Sequence, residues 1–154
     1  MAKLFPTFEV PTIVEEAEKN EAIYKTSSYF DFEKGDFILD GAGRMVEASG
    51  YDTWVQWCIK TIATERQAYE NYTAGLGIQG EAALAQKTAA LQQLALETTI
   101  TEALLADPYK RTVEVRDFVW TRKTDSIHME CTIVGQDDRT AGIEYDIPTE
   151  GRSA

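Results

Sequence analysis

The sequence lacks a long apolar run. Nowhere do about 18 or more apolar residues follow one another, so no segment is expected to span a membrane. Basic charge is scarce: 15 Lys and Arg stand against 26 Asp and Glu, for a net charge of −11. Phosphate contacts need a basic surface, so nucleic acid and anionic membranes are both excluded as expected partners. Cysteine is rare, with Cys58 and Cys131 far apart and neither in a CxxC pair. Metal-ligand spacing is therefore absent, and both are expected as buried, reduced thiols. The one histidine, His128, lies between Ile127 and Met129 in a strand pattern, with no marked nucleophile nearby. No HExxH spacing occurs, and no pair of carboxylates is singled out by spacing. No catalysis and no cofactor are expected.

What is present is apolar content of 44 %, enough for one domain with a sizeable core. The first twenty residues, MAKLFPTFEVPTIVEEAEKN, are interrupted by Pro6 and Pro11 and do not form the continuous apolar core of a signal peptide. Residues 1–26 read as an arm, with a short helix possible over residues 14–24. Residues 27–147 read as the folded domain and 148–154 as a loose tail.

Within the domain, Phe30 and Phe32 alternate with acids. Lys34-Gly35 and Asp40-Gly41-Ala42-Gly43 then supply turns, which together predict an antiparallel meander of two or three strands. A helix is predicted from about Tyr51 to Tyr72. At 100° per residue Trp54, Val55, Cys58, Ile62, Tyr69 and Tyr72 share an arc of roughly 100°. Continued unbroken, that helix carries Glu65 into the apolar arc and Arg66 to its edge. An unpaired buried carboxylate is costly, so either Glu65 meets a donor or the helix stops near Thr64. Gly75, Gly77 and Gly80 space as GxGxxG, but they follow a helix rather than a strand and predict a helix end and loop, not a phosphate site.

A second long helix is predicted over Glu81 to about Ala106, with Leu84, Leu91, Leu94, Ala95 and Leu105 on one face and Ile100 and Leu104 on another. The change of face beside Thr98-Thr99 predicts a bend or break there. Asp107-Pro108 ends it. The last third alternates as three strands with short polar turns. The predicted class is α+β: an N-terminal β-hairpin or meander, two long helices, and a C-terminal three-stranded antiparallel sheet. Trp54, Trp57 and Trp120 are expected chiefly in the core.

Three segments in order, YFDFEKGDFILDGAGRMVEASG, TWVQWCIKTIATERQAYENY and ITEALLADPYKRTVEV, resemble the baseplate wedge and sheath-initiator family of contractile phage tails, the tail-lysozyme-like wedge proteins. The nearest branch is that of phages, prophages and phage-tail-like bacteriocins of Gram-positive bacteria. The resemblance covers about residues 29–147. Its most specific element is Trp54, Trp57, Thr64, Glu65, Arg66 and Tyr69; the leucine-rich helix closing on Asp107-Pro108 is the second.

The resemblance implies a structural part of the inner baseplate, assembled in the host cytoplasm. Six copies would surround the tail axis, touching wedge subunits, tail tube or hub proteins, and sheath. The family's Glu-Arg motif docks on the helical core bundle of the wedge, a role carried to Glu65 and Arg66, with Trp57 and Tyr69 beside them. The family's small sheet accepts sheath strands. Here the expected receiving edge is residues 140–147, carrying Ile143, Tyr145 and Ile147, or else residues 112–121, because an open strand edge lends its backbone to an incoming strand. The sequence departs from relatives at Ala74, where an aromatic is usual before the glycine, and at Tyr109-Lys110 after the Asp-Pro. The alternatives are the equivalent subunit of a bacteriocin-like particle or other contractile injection system, a cell-wall hydrolase, and a generic binding module.

Overall fold

The computed structural model describes residues 26–32, 34–68, 70 and 75–150. The expected N-terminal arm, its short helix, Ala74, Tyr69 and Tyr72 lie outside these residues. The order is β1 (Ser27–Ser28), β2 (Phe30–Asp31), β3 (Asp36–Phe37), β4 (Glu47–Ala48), α1 (Gly50–Ala63), α2 (Gly80–Leu84), α3 (Ala89–Leu105), β5 (Thr112–Arg122), β6 (Ser126–Gly135) and β7 (Thr140–Pro148). The α+β class predicted from the sequence is the class observed.

The meander is smaller than expected. β2 pairs with β3 and β1 with β4, each over two residues, and Leu39 bridges Met45. Phe30 sits edge-to-face on Phe32 and Phe37 at 5.1 and 5.3 Å. Phe37, Ile38, Leu39 and Met45 stay exposed.

α1 starts on Ser49, whose hydroxyl accepts from the Asp52 N–H at 3.2 Å. It stops at Ala63, nine residues earlier than Tyr72, which corrects the long-helix expectation. The hydroxyls of Thr61 and Thr64 donate back to the carbonyls of Trp57 and Lys60 at 2.8 and 2.7 Å, and Thr64 turns to an extended backbone, φ −98° and ψ 129°.

The second predicted helix is two helices, and the break falls at residues 85–88 rather than at Thr98-Thr99. Thr88 is the cause: its hydroxyl accepts from the Leu91 N–H at 3.2 Å and starts α3 anew. Thr98 instead donates to the Leu94 carbonyl and leaves α3 intact. The buried face of α3 is Leu96, Ile100, Ala103 and Leu104, whereas Leu91, Leu94 and Leu105 are exposed. The face expected to be secondary is therefore the core face.

The C-terminal sheet has the order β5-β6-β7, antiparallel throughout. Ile127, Met129, Cys131 and Ile133 of β6 and Ile143 and Ile147 of β7 point to one face, where they meet Trp54, Cys58 and Ile62 of α1 and the core face of α3. Trp54 is fully buried and its indole N–H donates to Thr112 Oγ1 at 2.9 Å; Trp57 and Trp120 are half-buried against the same core. Both cysteines are free and buried, and burial pushes each thiol up to about 12. No helix among the described residues is long and apolar enough to cross a membrane.

Candidate functional site

Thr64 leaves α1 on an extended backbone, and Glu65 then bridges in parallel to the returning chain at Ile78. The Ile78 N–H donates to the Thr64 carbonyl at 3.0 Å, and the Arg66 N–H donates to the Ile78 carbonyl at 2.9 Å. Ile78 is fully buried. Gly77, at φ +97°, permits this approach: a Cβ there would sit 2.6 Å from the Thr64 carbonyl oxygen.

The Glu65 carboxylate closes the loop. It accepts from the N–H groups of Gly80 at 3.0 Å and Glu81 at 3.3 Å, the first turn of α2. Both resolutions foreseen for Glu65 therefore occur: the helix stops, and the acid finds donors. Arg66 is half-buried and donates from Nε to the Gly77 carbonyl at 3.1 Å. Of the three glycines, Gly75 and Gly77 lie in the loop as predicted, whereas Gly80 opens α2 and the helix before them has already ended at Ala63.

Beside this loop, α2 and α3 flank an open groove of about 440 Å³ lined by Gln79, Ala82, Ala83, Leu91, Leu94 and Ala95. Leu91 and Leu94 are 46 % and 60 % exposed, a concentration of apolar surface that a solitary side chain would not make.

Trp57 is engaged within the chain. The Arg111 guanidinium lies 5.4 Å from its ring centre and 5.2 Å from that of Tyr109. Arg111 forms a buried pair with Asp107, Nε to Oδ2 at 2.6 Å and Nη2 to Oδ1 at 3.2 Å. Asp107 also accepts from the N–H groups of Tyr109 and Arg111. The sequence reading used Asp107 only as a helix stop and missed this pair; an arginine four residues beyond an Asp-Pro was the available signal. It also resolves the departure at Tyr109-Lys110, since Arg111 anchors the chain just before β5.

The two edges of the C-terminal sheet differ. β5 slips register between Arg116 and Val119, with Asp117 at φ 59°. That bulge bends the edge and leaves a charge on it. Farther along, Trp120 Nε1 donates to Glu97 and Arg122 Nη2 to Gln92, both on α3. β7 pairs with β6 without a slip from Thr140 to Pro148.

Hydrogen bonds beyond each end of β7 fix which of its residues face β6: the Gly135 N–H donates to the Arg139 carbonyl and the Thr149 N–H to the Asp125 carbonyl. By the alternation of an antiparallel pair, odd-numbered residues bond to β6 and even-numbered ones turn away. The Thr140 carbonyl, on the outward side, is taken by the Tyr51 hydroxyl at 2.8 Å. Those of Gly142, Glu144 and Asp146 have no partner among the described residues. Pro148, lacking an N–H, stands at the same outward parity.

Of the expected edge residues, Ile143 and Ile147 bury their side chains in the core and Tyr145 is half-buried against it. They hold the strand down, while their even-numbered neighbours present the backbone.

The outer face of the sheet is polar. His128 Nδ1 lies 2.6 Å from Asp146 Oδ1, and Nε2 lies 3.3 Å from Glu130 and 4.0 Å from Glu144. Lys123 reaches Asp146 at 3.1 Å. The hydrogen bond His128 donates to the Asp146 carboxylate raises the His128 pKa above its ordinary value, and the same bond lowers that of Asp146. His128, Glu130 and Glu144 offer three ligand atoms within 4.8 Å of one another, with both carboxylates exposed to solvent.

Comparison with curated proteins gives no match. The family described as the contractile injection system sheath initiator matches residues 26–138, most of the chain and all of the elements from β1 to β6. With that match over most of its length, the chain belongs to the sheath initiators, a structural family of contractile injection systems.

Proposed function

We propose that this protein sits in the inner baseplate of a contractile tail and starts the sheath by accepting a sheath strand along β7. The observation that carries the reading is the run of outward N–H and C=O groups at Gly142, Glu144 and Asp146 on an unbulged edge. Strand addition draws its affinity from such groups.

The wedge side of the molecule is then the loop at Glu65 and Arg66 with the groove between α2 and α3. Glu65 acts through the loop it closes, and Arg66 is held on that loop by its bond to the Gly77 carbonyl with part of its surface still accessible. Tyr69 and Trp57 belong to the same motif; Trp57 contributes by stacking on Arg111. The sixfold arrangement and the contact with tube or hub proteins follow from the same reading. A phage tail and a bacteriocin-like particle would use this chemistry alike.

The test is Glu144→Pro. Its N–H faces away from β6, so the protein's own sheet loses no hydrogen bond, while an incoming strand loses a donor and meets the proline ring. The variant should keep its circular dichroism spectrum and join wedge complexes, yet fail to nucleate sheath in electron micrographs. Normal sheaths on such baseplates would refute the strand-accepting role. Arg66→Ala should fold but no longer copurify with wedge subunits; retained copurification would remove Arg66 from that interface.

A further inference from the structure

β7 carries a glycine in its interior, and neither backbone nor packing requires one. Gly142 is not at positive φ, and a Cβ built on it would meet nothing within 4 Å. Glycine weakens a strand, and inside one it often marks a bulge, a bend or the close approach of a ligand or another backbone; β7 has no register shift here, which leaves close approach. The missing side chain leaves a depression of about 360 Å³ on the outer face, lined by Asp117, Glu130, Thr132 and Glu144 beside Gly142. Asp117, one of three carboxylates at the rim, is brought there by the β5 bulge, and Glu130 and Glu144 are 55 % and 77 % exposed. Asp117 pairs with Arg116 at 3.5 Å, Glu130 and Glu144 lie 3.3 and 4.0 Å from His128, and Asp146 takes both Lys123 and His128, so the four acids Asp117, Glu130, Glu144 and Asp146 outnumber the three basic groups among them.

We infer that the strand added to β7 bears an arginine or lysine whose side chain lies across Gly142 into this acidic depression. The inference rests on the strand-accepting reading of β7 and adds the chemistry of the partner. A residue of the added strand opposite Glu144 has its Cβ about 5 Å from that of Glu144, and one opposite Gly142 points to the same face with no side chain facing it. A valine there would leave the depression empty, and an aspartate would face three acids. A long cationic side chain fills the volume and pairs with the carboxylates. Its planar fork makes arginine the better fit for carboxylates at several sides.

The experiment tethers a short strand of alternating threonine and valine to the C-terminus by a Gly-Ser linker, which holds it at about millimolar effective concentration. The central residue is arginine, glutamine or glutamate. The readout is hydrogen-exchange protection of the Gly142, Glu144 and Asp146 amides. The arginine strand should protect them about five- to tenfold more than the glutamine strand, with the glutamate strand weakest and the advantage falling with salt. Gly142→Val, which fills the depression without a clash, should cancel the arginine advantage but keep the glutamine strand's protection. Glu130→Gln with Glu144→Gln, at exposed positions, should do the same. Equal protection by arginine and glutamine strands overturns the basic partner while leaving the edge open to strands. No protection by any strand overturns the strand-accepting reading itself.

Discussion

Replacing Arg111 with methionine tests the energetics of the helix-to-sheet junction. The side chains of Arg111 and Asp107 are 4 % and 0 % exposed, so neither charge has water to fall back on. Methionine keeps an apolar stem between Trp57 and Tyr109 but removes the donors at 2.6 and 3.2 Å. Asp107 keeps only the N–H groups of Tyr109 and of residue 111. Breaking a buried pair from one side costs about 3–5 kcal/mol, and losing the cation over two half-covered rings adds about 0.5–1 kcal/mol each. The sum, about 4–7 kcal/mol, is a large share of the roughly 5–15 kcal/mol that holds a domain together. In urea, with a slope of about 2 kcal/mol per molar, the midpoint followed by tryptophan fluorescence should fall by about 2–3.5 M. Adding Asp107→Asn removes the stranded charge, and the double variant should recover at least about half of the loss. The reasoning fails if Arg111→Met moves the midpoint by less than about 0.5 M, or if the double variant is less stable than the single one.

Three further outcomes follow. Glu65→Gln keeps the shape but weakens the bonds to the Gly80 and Glu81 N–H groups, so loop amides from 75 to 81 should exchange faster while the sheet core stays protected; unchanged exchange would remove Glu65 as the fastener. Gly77→Ala drives a Cβ to 2.6 Å from the Thr64 oxygen at φ +97°, and should destabilise by more than about 1 kcal/mol in the same urea assay; a neutral result would contradict the close approach. The raised pKa of His128 means its stabilisation is fully present below 6.5 and lost as pH rises through the raised value, while Asp146, lowered from 3.8, keeps its share until pH falls through that lower value. The stability gap between the parent and His128→Gln should accordingly be open at weakly acid pH and close in alkali, and a gap that widens with pH would reverse the assignment.

Much of the sheet was legible because strand alternation writes itself into the side chains. The β5 register shifts were not read from it: the strand slips at Thr112/Glu114 and again at Arg116/Val119, so Val113 is exposed while Val115, Phe118 and Trp120 pack on the core. The end of α1 was harder. The apolar arc of Trp54, Cys58 and Ile62 runs on to Tyr69, and only the cost of burying Glu65 argued for a stop. What ends the helix is a bond partner fifteen residues away, which no local pattern encodes. The α3 core face was misjudged because leucine outweighs alanine on a wheel, whereas Ala103 packs close and Leu94 faces the groove. Gly142 was passed over because its meaning lies in empty space, and the Asp107–Arg111 pair because charge near a helix end reads as surface.

The contrast between the two sides of the sheet fixes how many neighbours it can recruit. A plate with two straight borders can be extended without limit, each newcomer templating the next, as fibrils do. Among the described residues this one has a single straight border, β7, since β5 is bent at Asp117. Two free copies meeting border to border would exhaust each other and stop as a pair. If β7 accepts a strand as proposed, each subunit has a valence of one, and a ring of them would hand the growing structure as many starting points as it has members.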